Sequence, residues 1–308
     1  MLARRLLLLL AIELGAYVAL GFWLVLAVGW TGPRALSLAV AIALGWRIVF
    51  GLTTYLVSWL NRSPTPTEFG LTPMALVPHV VREIGAINAL FCVLQPLERL
   101  FMGDPAPASA RAERLPVLLV HGYACNRAAG WALARALRRR GETVWAPTLE
   151  PVYGAIDTWV EPLAAAVDRL RTATGAERVV LVTHSMGGLA ARAYLRAHGG
   201  AKIGRLITLG APHHGSAHAR LGMGENARQM EPGSAWLVAL AAADVGGLGV
   251  PFVSIFTHHD NFVAPQTSSA HPAARNLPLA GVGHLTMLFS SEVRTAIEKE
   301  LDAANARS

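Results

Sequence analysis

Charge is scarce in this sequence. Asp, Glu, Lys and Arg make up 15% of the 308 residues, against about 25% in an ordinary soluble domain. Hydrophobic residues make up 53%. That balance excludes a disordered chain, which is polar and strongly charged, and a charge-laced coiled coil. Lysine is nearly missing: of 27 basic residues, only Lys202 and Lys299 are lysines. The net charge is +7, yet basic clusters interleaved with aromatics, the mark of a nucleic-acid binder, are lacking. The densest run, Arg138-Arg139-Arg140, ends a helical pattern, where cations suit the negative end of the helix dipole. No nucleic-acid partner is expected, whereas an anionic membrane surface suits the excess of arginine. Cysteine is also scarce. Cys92 and Cys125 are too few for a disulfide framework and lack metal-ligand spacing. Both are expected to be free, and neither metal nor cofactor is expected.

The apolar excess lies partly at the amino terminus. Residues 6–30 hold one charge, Glu13, and residues 35–60 hold one, Arg47. Each stretch exceeds the about 20 apolar residues that cross a bilayer. The turn Thr31-Gly32-Pro33-Arg34 joins them, so the reading is a transmembrane helical hairpin. A cleaved signal peptide fits less well: its apolar region is about 7–15 residues and ends at a small-x-small site, which is lacking. Arg47 is costly in hydrocarbon unless paired, and Glu13 across the hairpin is its candidate partner. Arg4 and Arg5 before the first span, and Arg62 and Arg82 after the second, outnumber Arg34 in the turn. By basic-residue bias both ends, and hence the rest of the chain, face the cytoplasm, as in a protein of a bacterial inner membrane. Residues 63–114 read as a connector, an amphipathic helix followed by the linker Asp104-Pro105-Ala106-Pro107. The division is therefore 1–62 hairpin, 63–114 connector and 115–308 as a separate domain.

From residue 115 the pattern changes. Short apolar runs at 116–120, 143–146, 178–183, 203–209, 250–257 and 276–280 alternate with helical stretches at 128–140, 155–172, 187–197 and 291–304. That alternation indicates an α/β fold, a mostly parallel sheet with helices on both faces. Ligands then bind beyond the carboxyl ends of the strands.

At one such end stands Thr183-His184-Ser185-Met186-Gly187-Gly188. A serine on a sharp strand-to-helix turn projects its hydroxyl from the sheet edge, and the crowded turn demands small residues nearby. Gly187 and Gly188 supply them; Thr183 replaces the usual first glycine. Upstream lies His121-Gly122-Tyr123, and downstream Thr208-Leu-Gly-Ala-Pro-His-His-Gly-Ser216. Together, over about residues 116–287, these motifs resemble the bacterial triacylglycerol lipase and esterase group of α/β-hydrolases. The resemblance implies an α/β-hydrolase fold; the first 114 residues, with the two expected transmembrane helices, lie outside it. It also implies an oxyanion hole from the backbone N–H groups of Tyr123 and Met186, and a pocket near His121, His184, His213 and His214.

The chain order on that fold is nucleophile, acid, base. Asp260 follows directly on a strong apolar strand, and its loop resembles the group's acid loop. His284, in Gly281-Val-Gly-His-Leu before the closing helix, is preferred as base over His271 in a polar loop. The expected catalytic set is Ser185, Asp260 and His284, acting on a lipid or acyl ester beside a membrane. The same set serves acyl transfer to an acceptor other than water. A catalytically dead membrane scaffold is the alternative from another class. Oligomeric state leaves no mark in the sequence.

Overall fold

The computed structural model describes residues 1–104, 106–107 and 113–306. Part of the anticipated linker, Pro105, lies outside the described residues. Ten α-helices are described: α1 Leu2–Leu26, α2 Gly32–Leu60, α3 Pro73–Asn88, α4 Glu98–Met102, α5 Trp131–Arg139, α6 Val160–Thr174, α7 Met186–His198, α8 Glu225–Gln229, α9 Ala235–Ala243 and α10 Ser291–Asn305. The strands are β1 Val117–Val120, β2 Val144–Trp145, β3 Val179–His184, β4 Ile203–Leu209, β5 Phe252–Thr257 and β6 Arg275–Leu279. They form one sheet in the order β2-β1-β3-β4-β5-β6, parallel at every junction.

Strand side chains alternate between faces, and the two cores follow that alternation. Val117, Leu119, Val180 and Val182 meet α5, α10 and the end of the connector on one face. Leu118, Val120, Val179 and Leu181 meet α6, α7 and α9 on the other. Each such side chain, taken fully from water, contributes about 1.5–3 kcal/mol.

Helices α1 and α2 form the hairpin. Their mean hydropathies are 2.1 and 2.0, and little of either is buried. The break falls at 27–31 rather than 31–34. Pro33 lies in the first turn of α2, where its fixed φ and missing N–H cost nothing; it starts the helix instead of forming the turn. Arg47 does meet Glu13, with Nη1–Oε1 at 2.7 Å and Nη2–Oε2 at 2.9 Å. Tyr17 and Trp46 also donate to that carboxylate.

A third helix is long and apolar enough to cross a membrane, Pro73–Leu94, with mean hydropathy 1.4. It comprises α3 and a π-helical continuation, Ala89–Leu94. Its inner face is committed to the domain: Ala86, Ile87, Leu90 and Leu94 join the core beneath the sheet. On the other side it presses on α2, where a Cβ at Gly51 would sit 2.5 Å from Ile84 Cγ1. The Tyr55 hydroxyl and His79 Nε2 are 3.0 Å apart. The connector is thus a packed layer that ties hairpin to sheet.

Candidate active site

Ser185 follows β3 and precedes α7. Its backbone has φ 55° and ψ −127°, a positive φ that a non-glycine residue holds only when its surroundings impose it. Those surroundings are tight. A Cβ on Gly187 would lie 2.6 Å from the His121 carbonyl oxygen and 2.9 Å from that of Val120. One on Gly188 would lie 2.5 Å from Ala211 Cβ. Both glycines are therefore required for α7 to leave the sheet edge at this angle. Gly187→Ala meets backbone that cannot step aside; unfolding midpoints of the full chain in detergent will show a loss of about 1–3 kcal/mol, the usual cost of overpacking.

The backbone N–H of Met186 lies in the first turn of α7, where a helix has no internal partner for it. Tyr123 is on the loop after β1, which closes on the serine: a Cβ on Gly122 would be 2.8 Å from Ser185 Cβ. His121 braces that loop from behind. Its Nε2 accepts from Leu149 N at 2.9 Å, so Nδ1 carries the proton and donates to the Gly122 carbonyl at 3.0 Å. Burial lowers its pKa to about 4, which keeps the ring neutral.

Asp260 stands just past β5 and is buried. Oδ1 accepts from Phe262 N at 2.8 Å and Val263 N at 2.7 Å, and Oδ2 lies 2.7 Å from His284 Nδ1. His284 is also buried. Burial works against its charged form, but the charge and hydrogen bond of Asp260, and the charge of Glu83, outweigh it and raise the pKa above the ordinary 6.5. The His284 carbonyl lies 3.0 Å from His184 Nε2. Burial, with the charge of His284, lowers the His184 pKa to about 3. That ring is neutral, and Nε2–H is the donor.

Ser185 and His284 line one cavity of about 440 Å³, mostly apolar. His184 lines it too, and Cys125 contributes to its wall. Burial pushes the Cys125 thiol up to about 12, so this side chain serves as an apolar surface. His121, His213 and His214 are not among the lining residues. His213 instead faces Thr208 Oγ1 at 3.1 Å and the edge of Phe252, behind the loop whose sequence suggested a pocket wall. His271 lies 3.3 Å from Asp244, which is paired with the buried Arg192, away from Asp260.

Several residues of the site left no motif. Glu83 of α3 is fully buried and accepts from Leu285 N at 2.8 Å, Thr286 N at 2.9 Å and Thr286 Oγ1 at 2.6 Å. It thereby holds the loop directly after His284. Asn261 Oδ1 accepts from His284 N, and its amide donates to Thr54 of α2. Ser58 of α2 donates to the Asp260 carbonyl at 2.8 Å.

The alpha/beta hydrolase fold family matches residues 116–245. This part of the chain has the α/β-hydrolase fold. Over 195 residues it is 32% identical to a triacylglycerol lipase of Burkholderia plantarii, covering 58% of this chain and 53% of the relative. Over 184 residues it is 32% identical to a triacylglycerol lipase of Pseudarthrobacter phenanthrenivorans, covering 56% of each. The chain thus spans about half the length of the curated relatives it matches. Among solved structures, the hydrolase domain resembles the mature lipase BlEst2 of Bacillus licheniformis, with TM-score 0.56, 19% identity, and coverage of 65% of this chain and 96% of that one. Lipase B of Aspergillus fumigatus aligns at TM-score 0.53 and 15% identity, covering 62% and 56%. Likeness at such identities shows the hydrolase fold.

Proposed function

We propose that this protein is a membrane-anchored serine carboxylic-ester hydrolase, lipase-like, that works through an acyl-enzyme. The observation that carries the reading is the buried Asp260–His284 pair, with His284 sharing one apolar cavity with the strained Ser185. In this mechanism Ser185 Oγ attacks the ester carbonyl carbon while His284 Nε2 takes its proton. The oxyanion that forms receives the N–H groups of Met186 and Tyr123, fixed before the reaction begins. As the C–O bond to the alcohol breaks, His284 returns the proton to the leaving oxygen. Water, deprotonated by the same ring, then attacks the acyl-enzyme and frees the acid. Asp260 keeps the Nδ1–H tautomer and supports the imidazolium.

The hairpin is read as the anchor. Ser58, near the end of α2, donates to the Asp260 carbonyl, and α1 pairs back along α2 through Glu13 and Arg47, which supports both hairpin ends being on the domain's side of the membrane. Together with the basic residues at those ends, it supports a cytoplasmic domain on an inner membrane.

A fluorophosphonate probe tests the proposal on the full chain in detergent. One adduct is expected, on the peptide that contains Ser185, with hydrolysis of p-nitrophenyl esters lost in step with labelling. An unlabelled protein, or hydrolysis that survives full labelling, would overturn it.

A further inference from the structure

The cavity beside Ser185 is not built by the hydrolase domain alone. Phe50, Thr53, Thr54 and Val57 of α2 line it as well. They recur at positions three, four and seven apart, which places them on one face of the helix. That face is fixed to the domain: Thr54 O lies 3.0 Å from His218 Nε2, and Thr54 Oγ1 accepts from Asn261. Burial holds His218 below its ordinary pKa, so the neutral ring donates through Nε2. A helix that anchors the protein is therefore also a wall of its pocket.

The exposed members of the lining mark the mouth. Phe50 is 46% exposed, Leu221 70% and Met223 67%. All three are apolar, and the segment Ala217–Leu221 packs against α2. Their depth follows from helix geometry. Counting from Gly32, beside the hairpin turn, Phe50 stands about 27 Å along α2 at 1.5 Å per residue. The hydrocarbon core of a bilayer is about 30 Å thick. The mouth thus lies where hydrocarbon gives way to headgroups, the level at which a membrane lipid carries its ester. The 440 Å³ cavity lies at the lower end of the about 300–1,000 Å³ of ligand pockets, room for one acyl chain.

We propose that the α2 face Phe50–Thr53–Val57 is the acyl-chain subsite, and that the substrate is a bilayer lipid. One of its acyl chains slides from the hydrocarbon past Phe50 and Met223 along α2 to Ser185, without passing through water. This rests on the ester-hydrolase reading above and adds to it the route and the chain-selecting residues. Bulk added at Thr53 or Val57 shortens the channel, so chain-length preference is written in the membrane helix.

The test uses full-length protein in phosphatidylcholine–phosphatidylglycerol vesicles and a hexadecyl fluorophosphonate with a diazirine at the chain end. Ser185 Oγ forms a bond to phosphorus, fluoride leaves, and the chain is tethered in the site. Irradiation is expected to crosslink the chain to the tryptic peptide 48–62, which lies between Arg47 and Arg62. In parallel, Thr53→Trp and Val57→Trp are each expected to lower the ratio of kcat/KM for hexadecanoyl over butanoyl esters by about tenfold or more. A labelled Ser185 with crosslinks confined to other peptides, or an unchanged ratio in both variants, overturns the inference alone. An unlabelled Ser185 overturns the hydrolase reading, and this inference with it.

Discussion

Asp260→Asn lowers kcat by about 10⁴ and leaves the fold and KM close to those of the parent. The magnitude is that of the same change in serine proteases built on this logic, and the local geometry gives the reason. Oδ1 of Asp260 accepts two backbone N–H groups, from Phe262 and Val263. An asparagine in its place must keep its carbonyl oxygen there, because an NH₂ group would oppose two donors. The amide NH₂ is then forced to the Oδ2 position, 2.7 Å from His284 Nδ1. A donor there requires Nδ1 to accept, which moves the ring proton to Nε2. In that tautomer the ring faces the serine with a proton and cannot take another. Steady-state kinetics on p-nitrophenyl butyrate, with circular dichroism as the fold control, measures the effect. A variant that keeps a tenth of the parental kcat would remove Asp260 from the mechanism.

The sheet and the motifs of the proposed catalytic set are written locally, which makes them legible in the sequence. Each strand is an apolar run that needs no partner to be seen, and the serine turn carries its glycines beside it. Asp260 and His284 follow strand ends in the order the fold demands. The role of His213 was not legible, because a histidine beside a pocket motif has the same letters whether it faces the pocket or the sheet. The hairpin turn was misplaced for a related reason: Pro33 breaks a helix in its interior but opens one in its first turn.

Least legible was the hold of the first hundred residues on the site. Hydropathy identifies α1, α2 and the Pro73–Leu94 helix as apolar, but it does not tell which face packs on the rest of the protein. Ser58, Thr54 and Glu83 touch residues about two hundred positions away. No spacing rule spans that distance. A buried acid in an apolar helix was the one available signal, and Gly283 was its counterpart. A Cβ on Gly283 would lie 2.3 Å from a Glu83 oxygen, so the glycine before His284 leaves room for this carboxylate.

Glu83→Gln tests that hold. The carboxylate accepts three hydrogen bonds through two oxygens. An amide has one oxygen, so in either orientation its NH₂ opposes a backbone N–H of Leu285 or Thr286. Leaving a buried donor unpaired costs about 1–3 kcal/mol, and denaturant titration of the full chain in detergent should register that loss. A second effect is electrical. The charge of Glu83 favours the imidazolium of His284 and helps to raise its pKa; removing that charge lowers it. The acidic limb of kcat/KM reports the base of the free enzyme, so it shifts to lower pH in the variant. The stability linkage runs the other way. With a folded pKa above 6.5, His284 contributes stability that is fully present below pH 6.5 and fades as pH rises through the folded value. Glu83→Gln lowers the upper edge of that window. A fall in stability with the acidic limb unmoved would reduce Glu83 to a structural anchor. A shifted limb makes it a positioning residue through which α3 sets the protonation of His284.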